Sequence, residues 1–294
     1  MSAADGARIL EGGYRRFEGQ RTGVRGAVES VATHTTQRAL GLRRAARYKI
    51  LPVLAAALAY VPAIVYAGLA VLIPDELGRN QLLPTYAEYY FFITAAIVVF
   101  TAFVAPEVLC TDRRTGMLGL YLASPLTRTT YLLAKATAVL GVLAIVTLGP
   151  PLFLLLAYVL VGSGPDGPAD VALFAVRIVV AGTLLSAFFG SLSMAVSSVT
   201  DRKAVASAAT AILLLLSAVV TGSLVGGAGA SPYLLLADLF GLPFEAVVRI
   251  FGETSQNPDL AQVGSVVVVG ATVGWTLLAS TFVWLRYRAL EVTR

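Results

Sequence analysis

The chain has very few of the residues that carry out side-chain catalysis or bind metals. Its 294 residues include one cysteine and one histidine. The lone Cys110 excludes an internal disulfide and a site built from several thiolates. Nucleophilic catalysis needs a base beside the nucleophile, and the single His34 falls in the segment before the first apolar run. One Cys and one His in separate segments also do not make a zinc site. We therefore predict no catalytic residue and no metal site.

Lysine is scarce as well, and no lysine belongs to a nucleotide-binding loop. A P-loop needs a glycine before its lysine and a serine or threonine after it. Lys49, Lys135 and Lys203 follow a tyrosine, an alanine and an arginine. The chain is therefore not expected to hydrolyse nucleotides, and any energy that it uses must come from a partner.

Charge is scarce throughout the chain. Charged residues make up 13% of it, against about 25% in a typical soluble domain. Hydrophobic residues make up 57%, and the mean hydropathy is +0.79. A membrane-crossing helix needs about 20 apolar residues, and six stretches qualify: residues 50–73, 89–105, 136–161, 178–199, 204–225 and 263–285. No stretch alternates in polarity over about ten residues. We predict an all-α integral membrane protein with six transmembrane helices.

Basic residues are concentrated on one side of the predicted membrane. The segments before span one, between spans two and three, between spans four and five, and after span six hold 19 of the 22 Lys and Arg residues. Because basic loops stay in the cytoplasm, both termini are predicted to be cytoplasmic. Residues 1–49 then form a cytoplasmic tail, and residues 50–294 form the membrane domain. The net charge of +5 describes an inner face suited to anionic lipid and does not indicate nucleic acid binding.

An amphipathic helix is predicted before the first span. Apolar and small residues recur at helical spacing from residue 28, and four arginines lie off that stripe. The stripe is Val28, Val31, Ala32, Thr35, Ala39, Leu42 and Ala46, and the arginines are Arg38, Arg43, Arg44 and Arg47. Such a helix suits the inner membrane interface, with its arginines among the headgroups. A solvated helix with a weak stripe is the alternative, and no role is assigned to residues 1–26.

Proline and small residues predict the shapes of individual spans. Kinks are expected at Pro62 and at the pair Pro150 and Pro151, because proline removes a backbone donor. Small residues recur every four positions in the fourth span and allow close packing, either within the bundle or at a dimer seam. The recurring residues are Gly182, Ser186, Gly190 and Met194, with Ala187, Ser191 and Ala195 beside them.

The segment between the fifth and sixth spans contains two apolar pieces too short to cross a membrane. They lie in residues 232–251 and are separated by a break at residues 241–243. In lipid every backbone polar group needs a partner. We therefore expect two short re-entrant helices packed on the outer end of the bundle.

No acidic residue, lysine or histidine is expected deep inside a span. Glu88, Glu107, Lys135 and Arg177 fall at predicted span ends, where a long side chain can reach the interface. Ion-coupled transport relies on charged groups inside the membrane, so an ion-driven carrier is disfavoured. Cys110 is expected on the cytoplasmic side, within reach of a membrane-impermeant thiol reagent.

The loop between the second and third spans combines a short apolar helix with arginines. Pro106 is expected to end the second span and Glu107 to open a new helical stretch. Thr127 fits the N-cap of the third span. The apolar face is Met117, Leu118, Tyr121 and Leu122, bracketed by Arg113, Arg114 and Arg128. Such a face either lies on lipid or fits a groove in another protein.

This loop resembles the cytoplasmic loop of ABC-2 type exporter permeases. The resemblance is carried by the run EVLCTDRRTGMLGLYLASPLTRTTYLLAK, residues 107–135. The residues that match the pattern of that loop in order are Glu107, Arg114, Gly116, Leu120, Ser124, Pro125, Leu126, Thr127, Arg128, Tyr131 and Lys135. The six spans, the cytoplasmic termini, the interfacial helix and the re-entrant helices are also similar to this family.

The resemblance implies a transporter subunit driven by a separate ATPase. Two permeases, as a homodimer or with a paralogue, would each dock on a cytoplasmic ABC ATPase that binds ATP and Mg²⁺, and the chain itself would bind no cofactor. The loop would be the coupling helix, received by a groove in the ATPase and braced by the N-terminal helix. The candidate coupling residues are Glu107, Arg113, Arg114, Gly116, Leu118, Tyr121, Leu122, Pro125 and Arg128.

The resemblance also places the transport path between the two permeases, lined mainly by the first, second and fifth spans. A path without buried charge would suit an amphipathic, lipid-like or drug-like molecule, as in multidrug efflux. The candidate path residues, which are equally suited to helix packing, are Tyr60, Tyr66, Thr101, Ser217 and Thr221.

Composition and resemblance together indicate an exporter of the bacterial cell membrane. Arginine outnumbers lysine by 19 to 3, and with abundant Ala, Val and Gly this is typical of a GC-rich bacterial genome. The alternatives are a membrane enzyme, an assembly factor, or a sensor or immunity protein without transport activity.

Overall fold

The computed structural model describes residues 23–42, 44–73, 82–117, 119, 121 and 125–289, apart from the side chains of residues 104 and 105. Throughout this described part the chain forms helices, turns and loops and no β-strand. In chain order the helices are α1 (Gly23–Ala39), α2 (Ile50–Leu72), α3 (Tyr86–Phe92), α4 (Thr94–Arg114), α5 (Arg128–Thr147), α6 (Gly149–Val161), α7 (Gly167–Val199), α8 (Lys203–Gly222), α9 (Leu242–Phe251), α10 (Pro258–Ala261) and α11 (Ser265–Ala289).

Six helical segments of the described chain are long and apolar enough to cross a membrane. They are α2, α4, α5 together with α6, α7, α8 together with the turn that follows it, and α11. Their outer faces carry large exposed aliphatic side chains, such as Leu72 at 77% and Val266 at 86% exposure. Helices that are apolar on all sides are typical of a membrane protein. The chain is therefore a multi-pass membrane protein, as its hydropathy predicts.

Hydrogen bonds between segments far apart in the chain identify the two ends of the bundle. One end, called the basic end here, comprises residues 44–50, 107–117, 119, 121, 125–128, 197–203 and 284–289. There Arg113 Nη1 donates to the carbonyl of Ser198 at 2.5 Å. The opposite end comprises residues 82–86, 162–168 and 223–264, where the Thr85 hydroxyl donates to Glu253 Oε2 at 3.1 Å.

The course of the second span differs from the sequence prediction. A break at Ile93 (φ −94°, ψ 6°) separates α3 from α4. The prediction that Pro106 ends the span is wrong, because α4 continues through Pro106 to Arg114. Proline removes one backbone donor, but contacts with α5, α7 and α8 hold the helix together on both sides of it. Glu107 therefore lies inside a helix rather than at the start of one.

One of the two predicted kinks is found as a break in a helix. The third span is interrupted at Leu148, two residues before the proline pair, whereas helix α2 is continuous through Pro62 and a bend there stays a prediction. Pro150 and Pro151 have no N–H to offer the carbonyls one turn earlier. Hydroxyl groups from neighbouring helices bind carbonyls at this break: the Tyr90 hydroxyl donates to Thr147 O at 3.0 Å and the Tyr60 hydroxyl donates to Ile145 O at 3.2 Å.

The small residues of α7 pack against α5 within the same chain. A Cβ atom added at Gly182 would overlap the Leu148 side chain and lie 2.7 Å from the carbonyl oxygen of Thr147. The hydroxyls of Thr147 and Ser186 share a hydrogen bond of 2.7 Å. The stripe is thus used for intrachain packing, one of its two predicted uses.

Short helical segments close the opposite end of the bundle. A 3₁₀ turn at Pro232–Ala237 and helix α9 fall where two short apolar pieces are predicted. Between them the Asp238 carboxylate accepts hydrogen bonds from the amides of Phe240 and Gly241 at 2.9 and 3.0 Å, and burial raises the pKa of Asp238. Helix α9 is almost wholly buried against α7 and α11.

The close approach at Gly182 gives a stability prediction. We expect Gly182→Ala to lower the free energy of unfolding by about 1–3 kcal/mol, because the added methyl meets backbone as well as side chain. Thermal melting of the detergent-purified protein measures the effect. The control is Gly270→Ala on α11, where no atom lies within 4 Å of the added Cβ. A melting temperature for Gly182→Ala equal to that of the control would contradict the close packing of α7 on α5.

Candidate functional site

Asp112 lies at the centre of a buried group of charges at the basic end. Its Oδ2 is 2.6 Å from Lys135 Nζ and accepts a hydrogen bond from the Tyr131 hydroxyl at 2.9 Å. Arg38 Nη2 is 2.7 Å from Asp112 Oδ1. That contact is an ion pair by distance, but it lacks the alignment of a hydrogen bond. The same nitrogen donates a hydrogen bond to Val108 O at 3.3 Å. We call Arg38, Asp112, Tyr131 and Lys135 the Asp112 cluster.

The Lys135 side chain is 0% exposed, and protein groups surround its ammonium in place of water. Besides the Asp112 carboxylate, its Nζ donates to Thr35 Oγ1 at 2.8 Å. The rings of Tyr121 and Tyr131 each have their centres 5.4 Å from the ammonium. A buried ion is tolerated only when carboxylate, hydroxyl or aromatic groups replace its water. The expectation that Lys135 reaches the membrane interface is therefore wrong.

Four segments meet at the Asp112 cluster: α1, the end of α4, the loop that follows α4, and α5. Helix α1 packs along α5, and its Val31 is buried against Leu126 and Ala134. Thr35 and Arg38 are three residues apart on α1, and Tyr131 and Lys135 are four apart on α5. Each pair therefore shares one helix face. The cluster fastens α1 and α5 to the end of α4.

The part of the predicted amphipathic stripe that lies in α1 packs on protein. Val31, Thr35 and Ala39 are buried, while Leu42 and Ala46, further along the stripe, are exposed. Arg38 and Arg44, which were expected among lipid headgroups, bind carboxylates of α4 instead. Arg43 lies outside the described residues.

A second acidic residue of α4 joins two other segments. Glu107 Oε1 is 2.8 Å from Arg44 Nη1, and its Oε2 is 2.5 Å from Lys203 Nζ. Arg44 precedes α2, and Lys203 is the first residue of α8. These three residues, the Glu107 cluster, are partly exposed, so their ion pairs are weaker than the buried pair of Asp112 and Lys135.

Two arginines that were predicted to contact the ATPase bind backbone carbonyls at helix ends. Arg113 donates to Ser198 O near the C-terminus of α7, and Arg128 donates to Arg288 O near the C-terminus of α11, both at 2.5 Å. A guanidinium at a helix C-terminus is favoured by the helix dipole. These contacts tie the two ends of the loop to α7 and α11.

The expectation that Cys110 is accessible to a thiol reagent is wrong. Its side chain is 0% exposed, and its Sγ lies 3.7 Å from Ser197 O and 3.5 Å from Thr200 O. The reason is the continuation of α4 beyond Pro106, which presses this part of the helix against the end of α7.

The loop itself presents only some of the predicted coupling residues. Arg114, Gly116 and Pro125 are exposed. Gly116 has φ +70° and ends α4, a left-handed conformation that favours glycine. Tyr121 is half-buried, with its ring 5.7 Å from that of Tyr131, and burial beside Asp112 raises the pKa of Tyr121. Leu118 and Leu122 lie outside the described residues.

The predicted path residues do not meet in one cavity of the described chain. The hydroxyls of Tyr60, Thr101 and Thr221 donate to backbone carbonyls, and the Ser217 hydroxyl both donates to Leu214 O and accepts from the amide of Leu239. The Tyr66 ring packs at a tilt of 58° against Phe92, with the ring centres 5.2 Å apart, near the opposite end. In a single chain these contacts serve packing, and a part in a transport path stays a prediction.

Sequence reasoning missed Arg38, Arg44, Asp112 and Lys203 as members of this site. Of these four, only Asp112 could have been found from the sequence. If the second span is extended through Pro106, Asp112 falls within the same helix as the apolar residues before it. The described residues contain no group of three or more His, Cys, Asp or Glu side chains able to hold a metal ion. The arrangement is suited to holding helices together rather than to a chemical reaction.

The fold and the basic end define a multi-pass membrane protein whose spans are joined by ion pairs around a short connecting loop. The family model for ABC-2 family transporter proteins matches residues 16–291, nearly the whole chain. No curated protein matches the chain. The chain therefore belongs to the ABC-2 transporter family, and the resemblance found in the loop is confirmed.

The burial of Lys135 leads to a second stability prediction. Lys135→Met leaves Asp112 without its closest cation, and we expect a loss of about 3–5 kcal/mol of unfolding free energy. Lys203→Met, the same change at a residue whose side chain is 44% exposed, should cost about 1 kcal/mol or less. Thermal melting of both variants makes the comparison. Equal destabilisation by the two variants would contradict a dominant role for the Asp112 cluster.

Proposed function

We propose that this chain is the membrane-spanning permease subunit of an ATP-binding cassette exporter. The observation that carries the proposal is the family membership combined with a loop, residues 115–127, whose two ends are anchored to the bundle. Arg113 and Arg128 fix the ends, and the exposed Arg114, Gly116 and Pro125 lie between them. A short loop with fixed ends and exposed residues between them can transmit a force from a partner that binds it.

The proposed orientation puts the basic end in the cytoplasm. The support is the distribution of arginine and lysine, because basic loops are retained on that side. The membrane would be the bacterial cell membrane, with both chain termini inside. The short helices at residues 232–251 would then lie at the outer surface.

The partner would be a cytoplasmic ABC ATPase that receives the loop and carries ATP and Mg²⁺. Closure of the ATPase would move the loop, and the Asp112 cluster would pass that motion to α1, α4 and α5 as one unit. The Glu107 cluster would extend it to α8. Since the chain has no P-loop, the energy has to arrive through this contact.

The transported molecule would be amphipathic, lipid-like or drug-like, and a second permease, identical or paralogous, would complete the path. The support is the apolar character of α2, α4 and α8, whose charged residues gather at the basic end. Tyr60, Tyr66, Thr101, Ser217 and Thr221 remain the proposed path residues for that dimer.

Cysteine labelling tests the orientation. Because Cys110 is buried, new cysteines can be examined in the native background. Arg202→Cys, exposed at the basic end, should react with a membrane-impermeant maleimide in inside-out vesicles and not in intact cells. Asp166→Cys, exposed at the opposite end, should show the reverse, and the unmodified chain should react in neither. An exchange of the two patterns would overturn the orientation.

Charge reversal in the loop tests docking. Arg114 is exposed, and its guanidinium has no hydrogen-bond partner among the described residues, so Arg114→Glu should leave the fold intact. We expect it, like Leu122→Glu, to reduce at least tenfold the amount of P-loop ATPase that purifies with the tagged chain from its native membrane, equivalent to about 1.4 kcal/mol of binding energy. The matched control is Arg286→Glu, an exposed arginine of α11 at the same end. Equal recovery of the ATPase with all three variants would refute the docking role of the loop.

A further inference from the structure

Helices α5, α7 and α11 leave a crevice between them in the half of the bundle near the basic end. Its volume is about 270 Å³, close to the lower limit of roughly 300 Å³ for ligand pockets. Ala187, Gly190 and Ser191 of α7 line it, and their small side chains leave the space open. Residues of α5 and α11 form the two sides of the crevice, and this face of α7 forms its floor.

The crevice opens sideways, towards the lipid. Leu133 and Trp284, which line it, are 58% and 40% exposed. Thr129, at the edge of the crevice nearest the basic end, is the second residue of α5. The crevice therefore runs from the level of the helix ends into the apolar part of the bundle, as an acyl chain does in one leaflet. None of its lining residues is charged.

Two arginines stand at the mouth of the crevice. The Arg128 guanidinium donates to the carbonyl of Arg288, and the Arg288 guanidinium lies 5.2 Å from the ring centre of Trp284. Arg128 adjoins the crevice residue Thr129 in sequence, and Arg288 lies one helical turn beyond Trp284. Both guanidinium groups have N–H donors without a partner among the residues that the structure describes, and guanidinium is well suited to phosphate. Tryptophan is common at the level of lipid headgroups.

We propose that this crevice binds one anionic phospholipid, with an acyl chain between α5, α7 and α11 and the phosphate at Arg128 and Arg288. The charge at the mouth argues for this occupant, because a second protein helix would need acidic residues there and a zwitterionic lipid would bring a cationic amine close to both arginines together with its phosphate. The bound lipid links the third, fourth and sixth spans. The site shares Arg128 with the anchored end of the loop, but lipid binding does not require docking of an ATPase.

Fluorescence quenching of Trp284 tests the proposal in the full chain reconstituted into vesicles. The chain has two tryptophans, so Trp275→Phe leaves Trp284 as the only one. Trp284→Phe gives the contribution of Trp275, which can be subtracted from the wild-type signal if Trp275→Phe is unstable. The probes are dibrominated phosphatidylglycerol and dibrominated phosphatidylcholine. We expect phosphatidylglycerol to bind at Trp284 at least fivefold more tightly.

Substitutions at the mouth test the role of charge. Arg128→Gln and Arg288→Gln should each reduce the preference for phosphatidylglycerol by about fivefold, as expected for one cation near a lipid surface. Arg286→Gln is the matched control, since a residue two positions from Trp284 lies about 200° away around the helix. A preference unchanged by Arg128→Gln and Arg288→Gln, or lowered equally by Arg286→Gln, would overturn the proposal.

Filling the crevice tests the place of the acyl chain. Ala187→Leu should weaken quenching by both brominated lipids, whereas Ala57→Leu, at an exposed position on α2, should not. Equal affinity of the wild type for the two lipids would refute the headgroup contact. Absence of quenching by either lipid would show that no acyl chain lies beside Trp284, as expected if a second copy of the chain filled the crevice, and would also refute the proposal.

Discussion

The ion pair between Asp112 and Lys135 constrains the whole basic end of this protein. Both side chains are fully buried, so neither can separate from the other without leaving a charge in an apolar surrounding. The pair lies where α1, α4 and α5 meet, and Arg38 brings in a helix that lies before the first span. A displacement of any one of these helices has to carry the other two with it. The loop between α4 and α5 therefore extends from a point at which three helices are fixed to one another.

The two ends of the bundle are held by different mixtures of contacts. At the basic end, ion pairs and guanidinium groups at helix C-termini join segments that are far apart in the chain. At the opposite end, helix α9 is buried, its Phe251 packs against Tyr86 of α3, and Arg177 of α7 donates to the carbonyl of Phe251 at 2.8 Å. Both ends therefore place a guanidinium at a helix C-terminus, and among the residues that the structure describes the fully buried ion pair between two helices lies at the basic end.

The parts of the fold that depend on one segment alone could be predicted from the sequence. Hydropathy over about 20 residues identifies the six spans, and Thr127 forms the expected N-cap of α5 through its hydrogen bond with the amide of Thr130. The course of α4 past Pro106 could not be predicted, because packing on three neighbouring helices decides it. The burial of Lys135 and Cys110 follows from that course. The loop was located from its motif, but which of its arginines are free depends on carbonyls contributed by α7 and α11.

The break between α5 and α6 shows how a membrane protein can interrupt a helix where no water is available. The Tyr90 hydroxyl, from α3, binds the Thr147 carbonyl, which Pro151 leaves without a backbone donor, and the Tyr60 hydroxyl, from α2, binds the carbonyl of Ile145 two residues earlier. These phenols take the place of solvent, so the position of the break is set jointly by three separate helices. Moving the two prolines along the third span without moving the tyrosines would leave bare carbonyls in hydrocarbon. An engineered homologue with a shifted break would therefore need the hydroxyl groups to be transplanted together with the prolines.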